Sequence, residues 1–184
     1  MNIISNNKEQ RKSSTIDGRL AVRQRFQLAS AFLKPLHTLI QKGFATRRKG
    51  KTAFGRAMSY VLLRAVAGDY PNQYIDPSAV RISEGVLQNP AVAGATREGR
   101  RITVEVESSM ELNQAWDDRL VLCAYHPELR VAGINEAEAL REAGCVALLL
   151  PPLLEDKPVH LYLMVHDRKG RTWSNSQYLG EVGP

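Results

Sequence analysis

The stretch Val159-His160-Leu161-Tyr162-Leu163-Met164-Val165-His166 decides the fold. Val159, Leu161, Leu163 and Val165 fall on alternate positions, so an extended backbone sends them all to one side. That period of two predicts a strand with one face in a core and the other carrying His160, Tyr162, Met164 and His166. Ile102, Val104 and Val106 alternate in the same way with Thr103, Glu105 and Glu107. Shorter runs with strand composition lie around these two: Val80 to Ser83, Leu120 to Tyr125, Leu129 to Ile134, Val146 to Leu150 and Gln177 to Val182. Seven short strands separated by turn residues predict an antiparallel β-sandwich, fibronectin type III or immunoglobulin-like, over 79–184. Asp167 to Gly170 closes a hairpin after the longest strand, and Asn135 to Glu142 reads as a short helix or a charged excursion.

Upstream of a linker at 69–78 the period changes. Val22, Phe26, Ala29, Leu33, Leu36 and Ile40 recur at spacings of four and three, and Leu28, Phe32 and Leu39 widen that stripe. One position later, Arg23, Gln27, Ser30, Lys34, His37 and Gln41 form a polar, partly basic stripe. Pro35 removes a backbone donor and disfavours helical geometry at Lys34, which predicts either a kink or a break between two helices. A further helix starts from Thr52 as N-cap, runs through Phe54, Met58, Val61, Leu62 and Ala65, and stops at Gly68. The two helical stretches predict an antiparallel hairpin over 17–68, preceded by a polar arm at 1–16 with little to bury and so expected to be disordered. The fold class is α+β, a helical hairpin followed by a sandwich.

Charge divides the chain at the same place. Met1 to Gly68 holds fourteen Lys and Arg against Glu9 and Asp17, a net +12, and the remainder has a net −6, within a total of +6. Arg47, Arg48, Lys49 and Lys51 concentrate this charge at the expected hairpin tip, as a solvated loop or as a contact for an anion or nucleic acid. The connection there is too long for a helix-turn-helix reader. No apolar run is long enough to span a membrane, and Met1 to Gln10 is polar where a signal peptide would be apolar, so no membrane partner is expected and the cytoplasm is the expected compartment. Cys123 and Cys145 lack a CxxC spacing and interrupt apolar runs, which predicts two buried thiols.

The motifs with chemical potential each meet a simpler explanation. Ala45-Thr46-Arg47-Arg48-Lys49-Gly50-Lys51-Thr52 fits a relaxed phosphate loop, but a helix precedes it where a strand would deliver the turn, and no βαβ series follows. Glu105 and Glu107 share a strand face at about 7 Å, the spacing of neighbouring acids on a solvated edge as much as of an acid and base pair. His160 and His166 lie about 20 Å apart on a straight strand, too far to share a metal. Cys123 and His126 point to opposite faces. No catalytic residue, metal ligand or cofactor site is expected. Trp116 and Trp173 sit at turns bounding strands, as core lids or, where exposed, as an interaction surface.

Several pieces together resemble a family. These are Arg25-Phe-Gln-Leu-Ala-Ser-Ala-Phe-Leu-Lys-Pro-Leu36, Gly43-Phe44, Lys51-Thr-Ala-Phe54 with Ser59-Tyr60, Gly68-Asp-Tyr-Pro71 before Tyr74-Ile-Asp76, Asp117-Asp118, Leu150-Pro-Pro152, and Ser174-Asn-Ser-Gln-Tyr-Leu-Gly-Glu-Val182. In that order they resemble Bacteroidota domain-of-unknown-function family 6266. The resemblance implies a helical N-terminal part before a fibronectin-type-III-like sandwich, and it brings no catalytic residues. Members begin with a glycine-rich, Lys-containing segment, whereas Met1 to Ser14 here is polar without those glycines.

A sandwich without catalytic chemistry predicts a non-enzymatic interaction or structural module, with a protein partner or self-association. Nucleic-acid binding through the basic segment is the alternative, with affinity that falls as salt rises. A third possibility is that the basic helices face the acidic part of the same chain.

Overall fold

The computed structural model describes residues 4–44, 50–107 and 115–184, with side chains from residue 18 onward. The protein is α+β. Helix α1 (Ile4–Leu33) gives way at Pro35 to a 3₁₀ turn, Lys34–Leu36, and the chain resumes as α2 (His37–Gly43). The proline therefore breaks the helix. The backbone is helical from Ile4, inside the stretch expected to be a disordered arm. That stretch has no Pro and no Gly before Gly18, and its Lys8-Glu9-Gln10-Arg11-Lys12 run consists of residues with good helix propensity.

Thr52 caps α3 (Ala53–Arg64) as its spacing predicts, accepting a hydrogen bond from the Gly55 amide at 3.0 Å. Contacts between α3 and the earlier helices run in opposite chain order: the Arg56 guanidinium lies over the Phe44 ring, and Arg25 donates to the Leu62 carbonyl at 2.8 Å. Ala29, Leu33, Leu36 and Ile40 of the predicted stripe are buried, but Val22 and Phe26 are about half exposed. The thirty residues of α1 make a rod of about 45 Å and the twelve of α3 one of about 18 Å, so α3 covers only the C-terminal part of the stripe.

After α3 come the short paired strands β1 (Val66–Ala67), at the end of the stretch expected to be helical, and β2 (Tyr74–Ile75), within the expected linker. Eight more strands follow: β3 (Val92–Glu98), β4 (Arg101–Val106), β5 (Arg119–His126), β6 (Val131–Ile134), β7 (Ala139–Leu140), β8 (Cys145–Leu149), β9 (Val159–His166) and β10 (Gln177–Val182). They form two antiparallel sheets, one ordered β3-β4-β8 and the other β10-β9-β5-β6 with β7 also paired to β5.

Val80 to Ser83 belongs to no strand, contrary to its strand-like reading. Polar bonds to the 174–176 turn hold it instead: Ile82 N–H donates to Ser176 Oγ at 3.0 Å, and Ser83 Oγ donates to the Ser174 carbonyl at 2.8 Å. The bonds of Ser174, Asn175 and Ser176 are thus structural. Gly85 passes so close to the Trp173 carbonyl that an added Cβ would lie 1.7 Å from its oxygen.

Ile102, Val104, Val146 and Leu148 from one sheet meet Leu120, Leu122, Leu161 and Leu163 from the other in one apolar core. The expected solvent face of β9 is not exposed. Tyr162 and Met164, with Cys123 and Tyr125 of β5, pack beneath Phe32, Leu33, Leu36 and Ile40 in a second core. Two buried phenols fix that layer: Tyr125 donates to the Phe32 carbonyl at 2.9 Å and Tyr162 to that of Pro77 at 2.8 Å. The basic helices meet the acidic part of the chain chiefly through apolar contact, with the Arg56 to Glu84 ion pair at 2.9 Å beside it.

Candidate contact surface

Arg47, Arg48 and Lys49 lie outside the described residues, and Lys51 is exposed just ahead of the Thr52 cap. Further along the helices Arg19, Arg23, Lys34 and Lys42 are also exposed, while Arg25 and Arg56 are engaged in packing. Trp116 is 53% exposed, but Trp173 is a buried lid. Its ring lies 4.7 Å from that of His166, and its Nε1 donates to the Gly170 carbonyl.

The chemically suggestive side chains take structural places. Glu105 and Glu107 stand exposed on the outer face of β4. His160 faces the Tyr178 hydroxyl at 3.0 Å, and burial lowers its pKa against the opposing pull of Glu181. His166 Nδ1 lies 2.7 Å from the Asp167 carbonyl. Burial pushes the Cys123 thiol up to about 12, so it stays protonated and unreactive near neutrality. No group of His, Cys, Asp and Glu able to hold a metal occurs among the described residues, and no helix among them is long and apolar enough to cross a membrane. Cys145 was expected to be buried and is exposed. Its strand alternates with the core inward at Val146 and Leu148, which turns Cys145, Ala147 and Leu149 outward.

The two flanks where the sheets meet differ. Beside β3, Arg97 crosses to the other sheet: its Nη2 donates to the Leu154 carbonyl at 2.9 Å, and its Nη1 to those of Lys157 at 2.8 Å and Val182 at 3.3 Å. One guanidinium stitches that flank shut. The opposite flank, between β8 and β6, is an open groove of about 1010 Å³. It is lined by Ala147 and Leu149 of β8 and by Gly133 and Ile134 of β6, with Glu142 just ahead of the Cys145 end of β8 and Arg100 and Arg101 beside its Leu149 end.

The turn that launches β8 is fixed from inside. Buried Arg141 donates from Nη2 to the Gln88 carbonyl at 2.6 Å, and its Nε lies 3.6 Å from Asp118 Oδ2. Burial lowers the Arg141 pKa and Asp118 opposes that shift. Gly144 then takes φ 67°, a left-handed turn conformation open to glycine.

Unpaired strand edges invite other strands, and proteins guard them with charge, proline, bulges or brevity. Edge strand β3 has a register shift between Val92 and Gly94 and carries Arg97 and Glu98, β10 has a shift between Tyr178 and Gly180, and β6 spans only four residues. Edge strand β8, Cys145-Val-Ala-Leu-Leu149, carries no charge, no proline and no register shift, and Leu149 is 65% exposed. Its uncharged run was legible in the sequence as a strand but not as an edge, because position in a sheet is set by partners far along the chain.

The fold and this surface define an α+β protein whose strand β8 forms an uncharged sheet edge beside an open groove. The chain belongs to a family of unknown function, DUF6266, whose model matches residues 3–180. No curated protein and no solved structure matches it.

Proposed function

We propose that the chain is a non-enzymatic contact module, a fibronectin-type-III-like sandwich backed by an antiparallel helical hairpin, that takes up a protein strand along β8. Strand order supports the sandwich. With β3, β4 and β5 lettered A, B and C, β6 as C′, and β8, β9 and β10 as E, F and G, the sheets read A-B-E and G-F-C-C′, an immunoglobulin-like pairing. The observation that carries the contact reading is the uncharged β8 edge beside the open groove. A strand added there gains main-chain hydrogen bonds, and the groove receives its side chains.

Site-specific photo-crosslinking in the native host tests this. A photoreactive residue at position 149 is expected to give discrete protein adducts, and one at Thr96, on the guarded strand of the same sheet, is expected to give none. Equal or absent labelling at the two positions overturns the reading. Nuclease-sensitive adducts at Arg23 or Lys34, with none at 149, place the contact on the basic helices and favour nucleic acid instead.

A further inference from the structure

We infer that the strand received by β8 is the β8 of a second copy of this chain, paired antiparallel about a two-fold axis at Ala147. This rests on the contact reading above and supplies its partner. Hydrogen-bond parity sets the available groups. Val106 N–H donates to the Gly144 carbonyl at 2.9 Å, and Leu150 N–H to that of Arg100 at 2.7 Å. Antiparallel ladders alternate, so Val146 and Leu148, which lie between those bonds opposite Val104 and Ile102, turn their backbone groups toward β4. Cys145, Ala147 and Leu149 turn theirs outward.

A two-fold antiparallel pairing sets Ala147 opposite Ala147 of the second copy and Cys145 opposite Leu149. The ladder that results uses the outward groups of all three residues on both copies. Cys145 and Leu149 are exposed and Ala147 between them is partly so, and the same pairing sets Leu149 against the second copy's Cys145.

Charge selects this orientation. Glu142 is exposed three residues before Cys145, and Arg100 and Arg101 stand beside the Leu149 end of the strand, Arg101 opposite Leu149 and Arg100 opposite Leu150. Antiparallel pairing brings the acidic end of each copy to the basic end of the other, twice by symmetry. A parallel pairing sets like charge beside like. An isologous contact of this kind closes at two copies, with no further edge of the same type left to propagate. Five residues of strand bury less than the roughly 1,200 Å² of a stable complex, so the expected dimer is reversible and concentration-dependent.

Sedimentation of the full chain over a wide concentration range, at low and high salt, is the test. The mass is expected to rise from 20.5 kDa toward twice that with concentration, and less steeply at high salt. Leu149→Lys, at an exposed position, is expected to weaken dimerisation at least tenfold while leaving the circular dichroism native. Glu142→Arg is expected to do the same, and adding Arg101→Glu to it is expected to restore the dimer, because each copy then presents the reversed pair. A monomer at every concentration overturns the second-copy inference. So does a dimer unmoved by both Leu149→Lys and Glu142→Arg. In either case, heterologous protein adducts at position 149 would leave the contact reading standing, so the two failures are distinguishable.

Discussion

The two flanks of the molecule are made from the same two sheets and end in opposite states. Along β3 a single arginine, Arg97, reaches across and gives its donors to carbonyls of the opposite sheet and its neighbouring turn, so the gap between the sheets is bridged there. Along β8 five uncharged residues lie beside an open groove, and the outward side chains are Cys145, Ala147 and Leu149. Closing a flank requires a long donor at the one position that overlies the gap. Where no such residue stands, the backbone groups of the edge remain available, and a surface for another strand is the physical result.

The sharpest way to break the contrast is within β8 itself. Leu148→Ala removes a core residue that is 3% exposed and is expected to cost about 2–5 kcal/mol in urea unfolding. A smaller loss would mean that the strand is packed more loosely than its register implies. Next in size, Arg97→Ala is expected to cost about 2–3 kcal/mol, since several charge-assisted hydrogen bonds go at once. An unchanged unfolding midpoint would show that the stitched flank holds without its arginine.

The thiols sharpen the comparison chemically. In the native protein at mildly alkaline pH a disulfide reagent is expected to titrate Cys145 rapidly, and Cys123 only on unfolding. Because the folded pKa of Cys123 is raised, folding disfavours its thiolate. Its contribution is complete below the ordinary thiol pKa of 9.0 and is lost as pH rises toward about 12. Cys123→Ala is therefore expected to flatten the alkaline limb of the stability curve, and an unaltered limb would assign that loss to the buried tyrosines. The smallest effect is that of Leu149→Ala, expected within about 0.5 kcal/mol of the parent because the side chain is already largely in water.

Much of the strand framework was legible because alternation is local. Val159–His166 and Gln177–Val182 have the bounds their sequence implies, and Thr52 caps the helix its spacing predicts. β3 was missed because Val-Ala-Gly-Ala-Thr-Arg-Glu has little apolar contrast, and its strand state comes from pairing with β4. Val80 to Ser83 failed in the other direction, for an alternating run meets a polar clamp from residues more than ninety positions away instead of a strand partner. The candidate surface was the least legible part. Its acids, its arginines and its bare strand lie in separate segments, and the tryptophan at 173 looked as available as the one at 116.

The sequence by itself determined the helices around Pro35 and after Thr52, the strands at Val159–His166 and Gln177–Val182, and how charge is shared between the two parts of the chain, since all of these follow from neighbours within a few residues. Only the tertiary structure decided that both faces of β9 are covered, that Cys145 is exposed while Cys123 is buried, and that β8 ends a sheet. The reason is that a strand's pattern records how each residue faces along its own axis, whereas its coverage and edge status depend on which distant segments pack or pair beside it.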